Sequence, residues 1–293
     1  LVLNNFMNDP SPSRLRKVYF LSNRTAITAE TLGHSLLAQF PGIEFSSVTI
    51  PFVDNVNKAQ RIVDRIDSES GDDDMQPIVI STMANEEIGK IIKQSRALVL
   101  DPFDRFLPDL ESTLHAHSIH ESGKSHRITN ESLYESRIEA IDFSLVHDDG
   151  MTTKMYDQAD IIIIGVSRSG KTPTCLYLAL QYGLKAANYP ITEEDMDSDK
   201  LPGSISAFKK KLFGLTTSPK RLAHIREERR PNSRYASIDQ CKYEVRAVEQ
   251  MYDTYQVPYI DTTTMSIEEI ATQIVAIAGL HRISRGVMTP SGI

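Results

Sequence analysis

Four consecutive isoleucines, Ile161 to Ile164, run straight into Gly165-Val166-Ser167-Arg168-Ser169-Gly170-Lys171-Thr172. A segment apolar at every position has no solvent face, so it predicts a strand buried on both sides within a parallel sheet. The eight residues that follow satisfy G-x-x-x-x-G-K-[ST] at each fixed position. Glycines there let the chain wrap so that successive backbone N–H groups point inward at an anion. The helix that follows adds the positive end of its dipole. In such a phosphate-binding loop Lys171 reaches the terminal phosphate and the Thr172 hydroxyl ligates magnesium. Arg168 reads equally well as an extra phosphate contact or as a solvent-facing loop residue. Pro173 suits a first helical turn, where a missing N–H costs little. The competing reading is a Gly-rich turn with an ordinary lysine.

The remainder of the chain repeats the alternation of strand and helix. Val18 to Leu21, Phe45 to Ile50 and Pro77 to Ser81 read as strands, and Thr28 to Phe40, Asn55 to Ser68 and Glu86 to Gln94 as helices. After the loop, Thr172 to Tyr182 reads as one helix, Lys185 to Tyr189 as a strand, Pro219 to Glu228 and Ile238 to Tyr252 as helices, and Val257 to Asp261 as a strand. A last helix opens at Ser266-Ile267-Glu268-Glu269, whose Ser-x-x-Glu pattern is a capping box. The fold class expected is α/β, with an N-terminal parallel-sheet half and a C-terminal P-loop kinase-like half. The boundaries expected are a disordered tail over 1–16, an N-terminal domain over 17–114, a linker with the His-Asp-Asp-Gly segment over 115–154, and a phosphotransferase domain over 155–293.

Composition excludes several classes of function. With 32 Lys and Arg against 39 Asp and Glu, the formal charge of -7 speaks against nonspecific attachment to nucleic acid or anionic lipid. No stretch reaches the ~20 apolar residues of a membrane helix, and Leu1 to Lys17 has neither the apolar core nor the cleavage site of a signal peptide. Two cysteines far apart, Cys175 and Cys241, form no disulfide framework or zinc motif. A cytoplasmic protein is expected. His115, His117 and His120 lie close together without a carboxylate or cysteine partner at convincing spacing, so a solvated loop is favoured over a metal site.

Three further segments carry chemistry. His147-Asp148-Asp149-Gly150 lies just before the isoleucine strand, and its carboxylates suit magnesium or a general base, with an Asp-Gly turn as the plain alternative. Ser22 to Glu30 leads from the first strand into the first helix, where Thr25 and Thr28 suit either a second anion site or N-capping. Arg226, Arg229, Arg230 and Arg234 suit phosphate groups, or a salt-bridged helix end.

Taken together, these residues resemble the regulatory proteins of phosphoenolpyruvate synthase and of pyruvate, phosphate dikinase. The marks are Thr25-Ala-Ile-Thr-Ala-Glu30, Pro51-Phe-Val53, Ile141-Asp142 with His147 to Gly150, Gly165 to Pro173, Ala186-Ala-Asn-Tyr-Pro190, Lys211-Leu-Phe-Gly-Leu215, and Arg226 to Arg230 with Asn232-Ser-Arg-Tyr-Ala236. They span about Val18 to Leu280. Gly170 and the Ala186-Ala187-Asn188 stretch point to the synthase branch. Where the family has Ser-Asp-Gly or Ser-Asp-Ser before its first helix, this chain has Ser22-Asn23-Arg24.

The resemblance implies a bifunctional regulator. One activity uses ADP to phosphorylate a threonine of phosphoenolpyruvate synthase and inactivate it. The other removes that phosphate with inorganic phosphate, releasing pyrophosphate. It further implies ADP and inorganic phosphate as co-substrates, Mg²⁺ as cofactor, the synthase as partner and a homodimer as a candidate assembly. On this reading Gly165, Val166, Ser167, Arg168, Ser169, Gly170, Lys171 and Thr172 bind the nucleotide and Thr172 the metal. Lys171, Asp148, Asp149 and His147 carry the catalysis, with either Asp148 or Asp149 as base. The alternatives are a small-molecule P-loop kinase and a nonenzymatic nucleotide-sensing switch.

Overall fold

The computed structural model describes residues 15–69, 76–119, 131–198 and 200–280, with side chains in the first helix of the second unit described from residue 134. The chain divides into two units, Leu1–Arg127 and Ile128–Ile293. The expected tail lies outside the described residues up to residue 14, and so does His120.

The first unit alternates β1 (Arg16–Ser22), α1 (Ile27–Leu37), β2 (Phe45–Ile50), α2 (Val56–Glu69), β3 (Ile78–Thr82), α3 (Glu86–Ile92), β4 (Leu98–Leu100) and α4 (Pro102–Leu114). All four strands are parallel, in the order β2-β1-β3-β4. The period of two in β1 splits its apolar residues between faces. Tyr19 and Leu21 pack with Ile62, Val63 and Ile66 of α2, while Val18 and Phe20 pack with Ala29 of α1. Neither β4 nor α4 stands out in the sequence. β4 has three residues, and α4 carries Pro108 inside it, which interrupts the helical pattern. A local device sets its start instead. Asp101 caps it, accepting from the Phe103 N–H at 2.9 Å, with Pro102 in the first turn.

The second unit runs α5 (Glu131–Val146), β5 (Ile161–Gly165), α6 (Lys171–Tyr177), β6 (Ala186–Pro190), α7 (Glu193–Asp197), α8 (Gly203–Ser206), β7 (Leu212–Thr216), α9 (Pro219–Arg229), α10 (Ile238–Tyr255), β8 (Tyr259–Asp261) and α11 (Ile267–Ile277). Its strand order is β6-β5-β7-β8, again all parallel. Both units thus wind the same way, outward from their first strand in two directions. In such sheets the crevice at the carboxyl ends of the strands, where the winding reverses, is where ligands sit. In the second unit that crevice lies beside β5, and the segment 165–172 begins there.

The four isoleucines divide as expected: Ile162 and Ile164 enter one core, Ile161 and Ile163 the other. Three expectations change. Residues 131–146, inside the segment read as linker, form α5, whose Ala140, Phe143, Ser144 and His147 make a buried stripe at helical spacing. The helix expected over Thr172 to Tyr182 is α-helical only to Tyr177 and continues as a π-turn over Leu178–Tyr182. β7 was hidden by its central glycine, which the packing requires. A Cβ on Gly214 would lie 2.7 Å from the Tyr252 ring and 2.8 Å from Tyr259 Cβ. That ring belongs to a tyrosine whose hydroxyl donates to Ile164 O at 3.1 Å and Leu215 O at 3.2 Å, tying α10 to the ends of β5 and β7. The capping box of α11 forms as its sequence predicts: the Glu269 N–H donates to Ser266 Oγ at 3.3 Å and the Ser266 N–H to Glu269 Oε2 at 2.8 Å.

Candidate functional site

The loop after β5 is shaped by a few residues. Gly165 admits no side chain, because a Cβ there would lie 2.7 Å from Leu215 O and 2.9 Å from Ser169 Oγ. Arg168 and Gly170 both take positive φ, 74° and 94°. For Arg168 this is a left-handed conformation that costs about 1–2 kcal/mol. It leaves that side chain exposed, so of its two sequence readings the solvent-facing one describes the present geometry. The Ser169 N–H donates to Val166 O at 3.3 Å, and α6 starts at Lys171.

Lys171 is buried, and its ammonium donates to Val166 O at 3.0 Å. Burial pushes its pKa down to about 8, against the opposing attraction of Asp149 and, further down, Asp148. A buried cation with one neutral carbonyl as its hydrogen-bond partner is poorly compensated. An anion in the loop would correct that. Ser169 Oγ, also buried and without a hydrogen-bond partner, is a second unfilled valence in the same loop.

The His147 to Gly150 segment leaves α5 and folds onto this loop as a short 3₁₀ turn over Asp148–Gly150. Thr172 Oγ1 donates to Asp148 Oδ1 at 2.7 Å. Asn188, from β6, donates through Nδ2 to the same Oδ1 and accepts the Asp149 N–H on its Oδ1 at 2.8 Å. Asp148 is half-buried, whereas Asp149 is exposed with its backbone left-handed at φ 47°. The two adjacent carboxylates therefore occupy different environments.

His147 does not join them. Its ring is fully buried, stacked on Phe143 at 4.0 Å and tilted against Tyr156. Its Nδ1 lies 2.7 Å from Phe143 O, which places the proton on Nδ1, and Nε2 has no hydrogen-bond partner. The expected catalytic histidine is a packed core group at the end of α5, its ring shielded from solvent.

Arg226 decides between its two sequence readings in favour of the ion-paired one. It is the largest fully buried side chain of the described residues, and every donor group is occupied within the fold. It pairs with Glu244 at 2.6 and 3.0 Å, reaches Ser167 O at 3.0 and 3.3 Å and Tyr235 O at 3.0 Å, and lies over the Tyr235 ring at 4.1 Å. The Tyr235 hydroxyl sits 2.9 Å from Ser167 Oγ. Arg226 thus braces the backbone of the loop after β5, with its guanidinium fully engaged inside the fold. Arg229, Arg230 and Arg234 are exposed, with Arg234 near Glu193 at 3.5 Å.

In the first unit, neither Thr25 nor Thr28 caps α1. The cap position is Ala26, at φ 64° and without a side-chain cap. Asn188, Tyr235 and Glu244 went unassigned at the sequence level. The available signal for Asn188 was a lone amide in an apolar strand, which must find partners wherever it is buried.

Among the described residues no three His, Cys, Asp or Glu side chains gather into a metal cage. The Thr172 hydroxyl and Asp148 carboxylate supply two hard oxygens instead. That donor set fits Mg²⁺, which takes one or two protein oxygens and completes its shell with phosphates and water. Among the described residues no helix is long and apolar enough to cross a membrane.

The sequence profile of the kinase/pyrophosphorylase family matches residues 18–275. A Marinobacter nauticus protein named "Putative phosphoenolpyruvate synthase regulatory protein" is 52% identical over 91% of this chain and 98% of its own length. Proteins of the same name from Hahella chejuensis and Legionella pneumophila strain Lens are 50% and 51% identical over the same shares.

Proposed function

Since this chain belongs to the kinase/pyrophosphorylase family, we propose that it is a phosphotransferase acting on a protein, and that this protein is phosphoenolpyruvate synthase, the enzyme in its relatives' names. The observation that carries the reading is the convergence of Lys171, Thr172 and Asp148 at the mouth of one strand, with the lysine buried and donating to a single neutral carbonyl.

In this reading the segment 165–172 holds the diphosphate of ADP through its backbone N–H groups and the start of α6. Lys171 exchanges Val166 O for the β-phosphoryl group, where charge builds during transfer. Thr172 and Asp148 would hold Mg²⁺, which when bound would neutralise phosphate charge. Asp149, exposed and unencumbered, accepts the proton of the incoming threonine. The threonine oxygen bonds to the β-phosphorus, the bond from that phosphorus to the α–β bridging oxygen breaks, and AMP leaves. In the opposing activity an oxygen of inorganic phosphate attacks the phosphothreonine phosphorus. The threonine oxygen departs, recovers a proton from Asp149, and pyrophosphate is released.

The test is incubation with phosphoenolpyruvate synthase, ADP and Mg²⁺, followed by mass spectrometry. Stoichiometric phosphothreonine and AMP are expected. ADP binding without either product would overturn the assignment.

A further inference from the structure

Two neighbouring carboxylates of one turn cannot do different work unless something holds them apart. We propose that Asn188 is the positioning residue that fixes Asp148 on the metal side of the site and, through the Asp149 backbone, leaves the Asp149 side chain free for proton transfer. This rests on the functional reading above and deepens it.

Asn188 lies on β6 opposite Ile163 of β5, two residues short of the position opposite Gly165, so its side chain is carried by the sheet and not by a loop. It is fully buried after two alanines, in a strand where an unpaired amide would cost a few kcal/mol. Each polar group is engaged. The backbone N–H donates to His147 O at 3.2 Å and the backbone C=O accepts from Tyr156 Oη at 3.1 Å. The side-chain Nδ2 donates to Asp148 Oδ1, and Oδ1 accepts the Asp149 N–H at 2.8 Å.

The amide orientation is fixed by its partners. Turned over, it would set an oxygen against the Asp148 carboxylate and an NH₂ against the Asp149 N–H, repulsive at both ends. Both bonds to the Asp148 carboxylate, from Asn188 Nδ2 and from the Thr172 hydroxyl, fall on Oδ1, so Oδ2 is left for the metal. The bond to the Asp149 N–H holds that residue in the left-handed conformation that an aspartate tolerates only at some cost. In that turn Asp148 is half-buried against Thr172 and Asn188, while Asp149 is exposed. Neither Asp nor Ser at position 188 offers a donor to Asp148 and an acceptor to Asp149 at this spacing with a neutral side chain.

The experiment is calorimetric titration of ADP into the full chain with and without Mg²⁺, comparing wild type with Asn188→Ala. Wild type is expected to bind ADP in both conditions and more tightly with Mg²⁺. Asn188→Ala is expected to keep metal-free ADP affinity within about 2-fold and to weaken apparent Mg²⁺ affinity about 10–100-fold, the loss typical when a residue orienting a metal ligand is removed. In an Asp148→Asn background the same substitution should cost nothing more. Asn188→Ser, which fills the space without bridging both partners, covers the case in which the alanine variant does not fold. Undiminished Mg²⁺ affinity in the soluble variant, or an additive loss in the double variant, overturns the inference. Wild type that binds no ADP at all would instead bring down the functional reading beneath it.

Discussion

Thr172 Oγ1 and Asp148 Oδ1 stand 2.7 Å apart, joining the first turn of the helix after the phosphate loop to a turn 24 residues upstream. β5 delivers residues 165–172 to its carboxyl end, and Asn188 of the neighbouring β6 holds the Asp148 turn there. A hydroxyl that donates to a carboxylate is already oriented with its lone pairs outward, and that is the arrangement in which both oxygens can share a cation. In the proposed reaction the pair would form the metal side of the site, and Asp149 would act as the base. The consequences can be measured.

Lys171→Met should abolish phosphoryl transfer while leaving the melting temperature unchanged or raised. The wild-type ammonium is buried with a single carbonyl as hydrogen-bond partner, so removing its charge relieves a desolvation cost. Transfer to the synthase should fall by about 10³-fold or more, since charge stabilisation at a transferring phosphoryl group is of that order. A transfer assay beside a thermal melt decides it. A variant that retains turnover removes the loop from the chemistry.

The same lysine predicts proton uptake on ligand binding. Its pKa is pushed down to about 8 by burial, from an ordinary 10.5. The folded value lies below the unfolded one, so the folded chain holds fewer protons between these values and its stability gains as pH rises through about 8. A bound phosphate favours the ammonium and restores the higher pKa. ADP binding should therefore take up a proton between about pH 8 and 10, and its affinity should fall as pH rises across that window. Calorimetry in buffers of different ionisation enthalpy reads the proton count, and a count of zero at pH 9 would contradict the prediction.

Arg226→Met leaves Glu244 buried without its partner and should destabilise the chain by about 3–5 kcal/mol. The double variant Arg226→Met/Glu244→Leu should recover most of that stability. It should not recover nucleotide affinity, because Ser167 O and the Tyr235 carbonyl both lose their donor. Denaturant unfolding and ADP titration separate the two effects. Full recovery of both would mean that the arginine does not brace the loop.

Gly214→Ala should destabilise by about 1–3 kcal/mol, because the new methyl overlaps the Tyr252 ring and Tyr259 Cβ. Gly203→Ala, where nothing lies within 4 Å of the added carbon, should be neutral or slightly stabilising. Thermal melts of the two provide an internal control. Equal effects would show that β7 tolerates the side chain.

By itself the sequence determined whatever is local or periodic. Ile161 to Ile164 specify a strand buried on both faces because no residue among them tolerates water, and Gly165 and Gly170 permit the turn that follows because its backbone needs a bare or left-handed position there. Ser266 and Glu269 are three residues apart and find each other without help from the fold. Tertiary structure decided the rest, since it depends on which distant groups meet. A histidine beside two aspartates reads as catalytic until α5 turns its ring onto Phe143. An arginine in a basic run reads equally as a phosphate ligand or an ion-pair partner until Glu244 and Ser167 O, far along the chain, claim it. Asn188 gains a function only once β6 lies against β5. Burial and partnership are properties of the folded chain, because desolvation is set by everything that surrounds a group, and residue type alone carries no record of those surroundings.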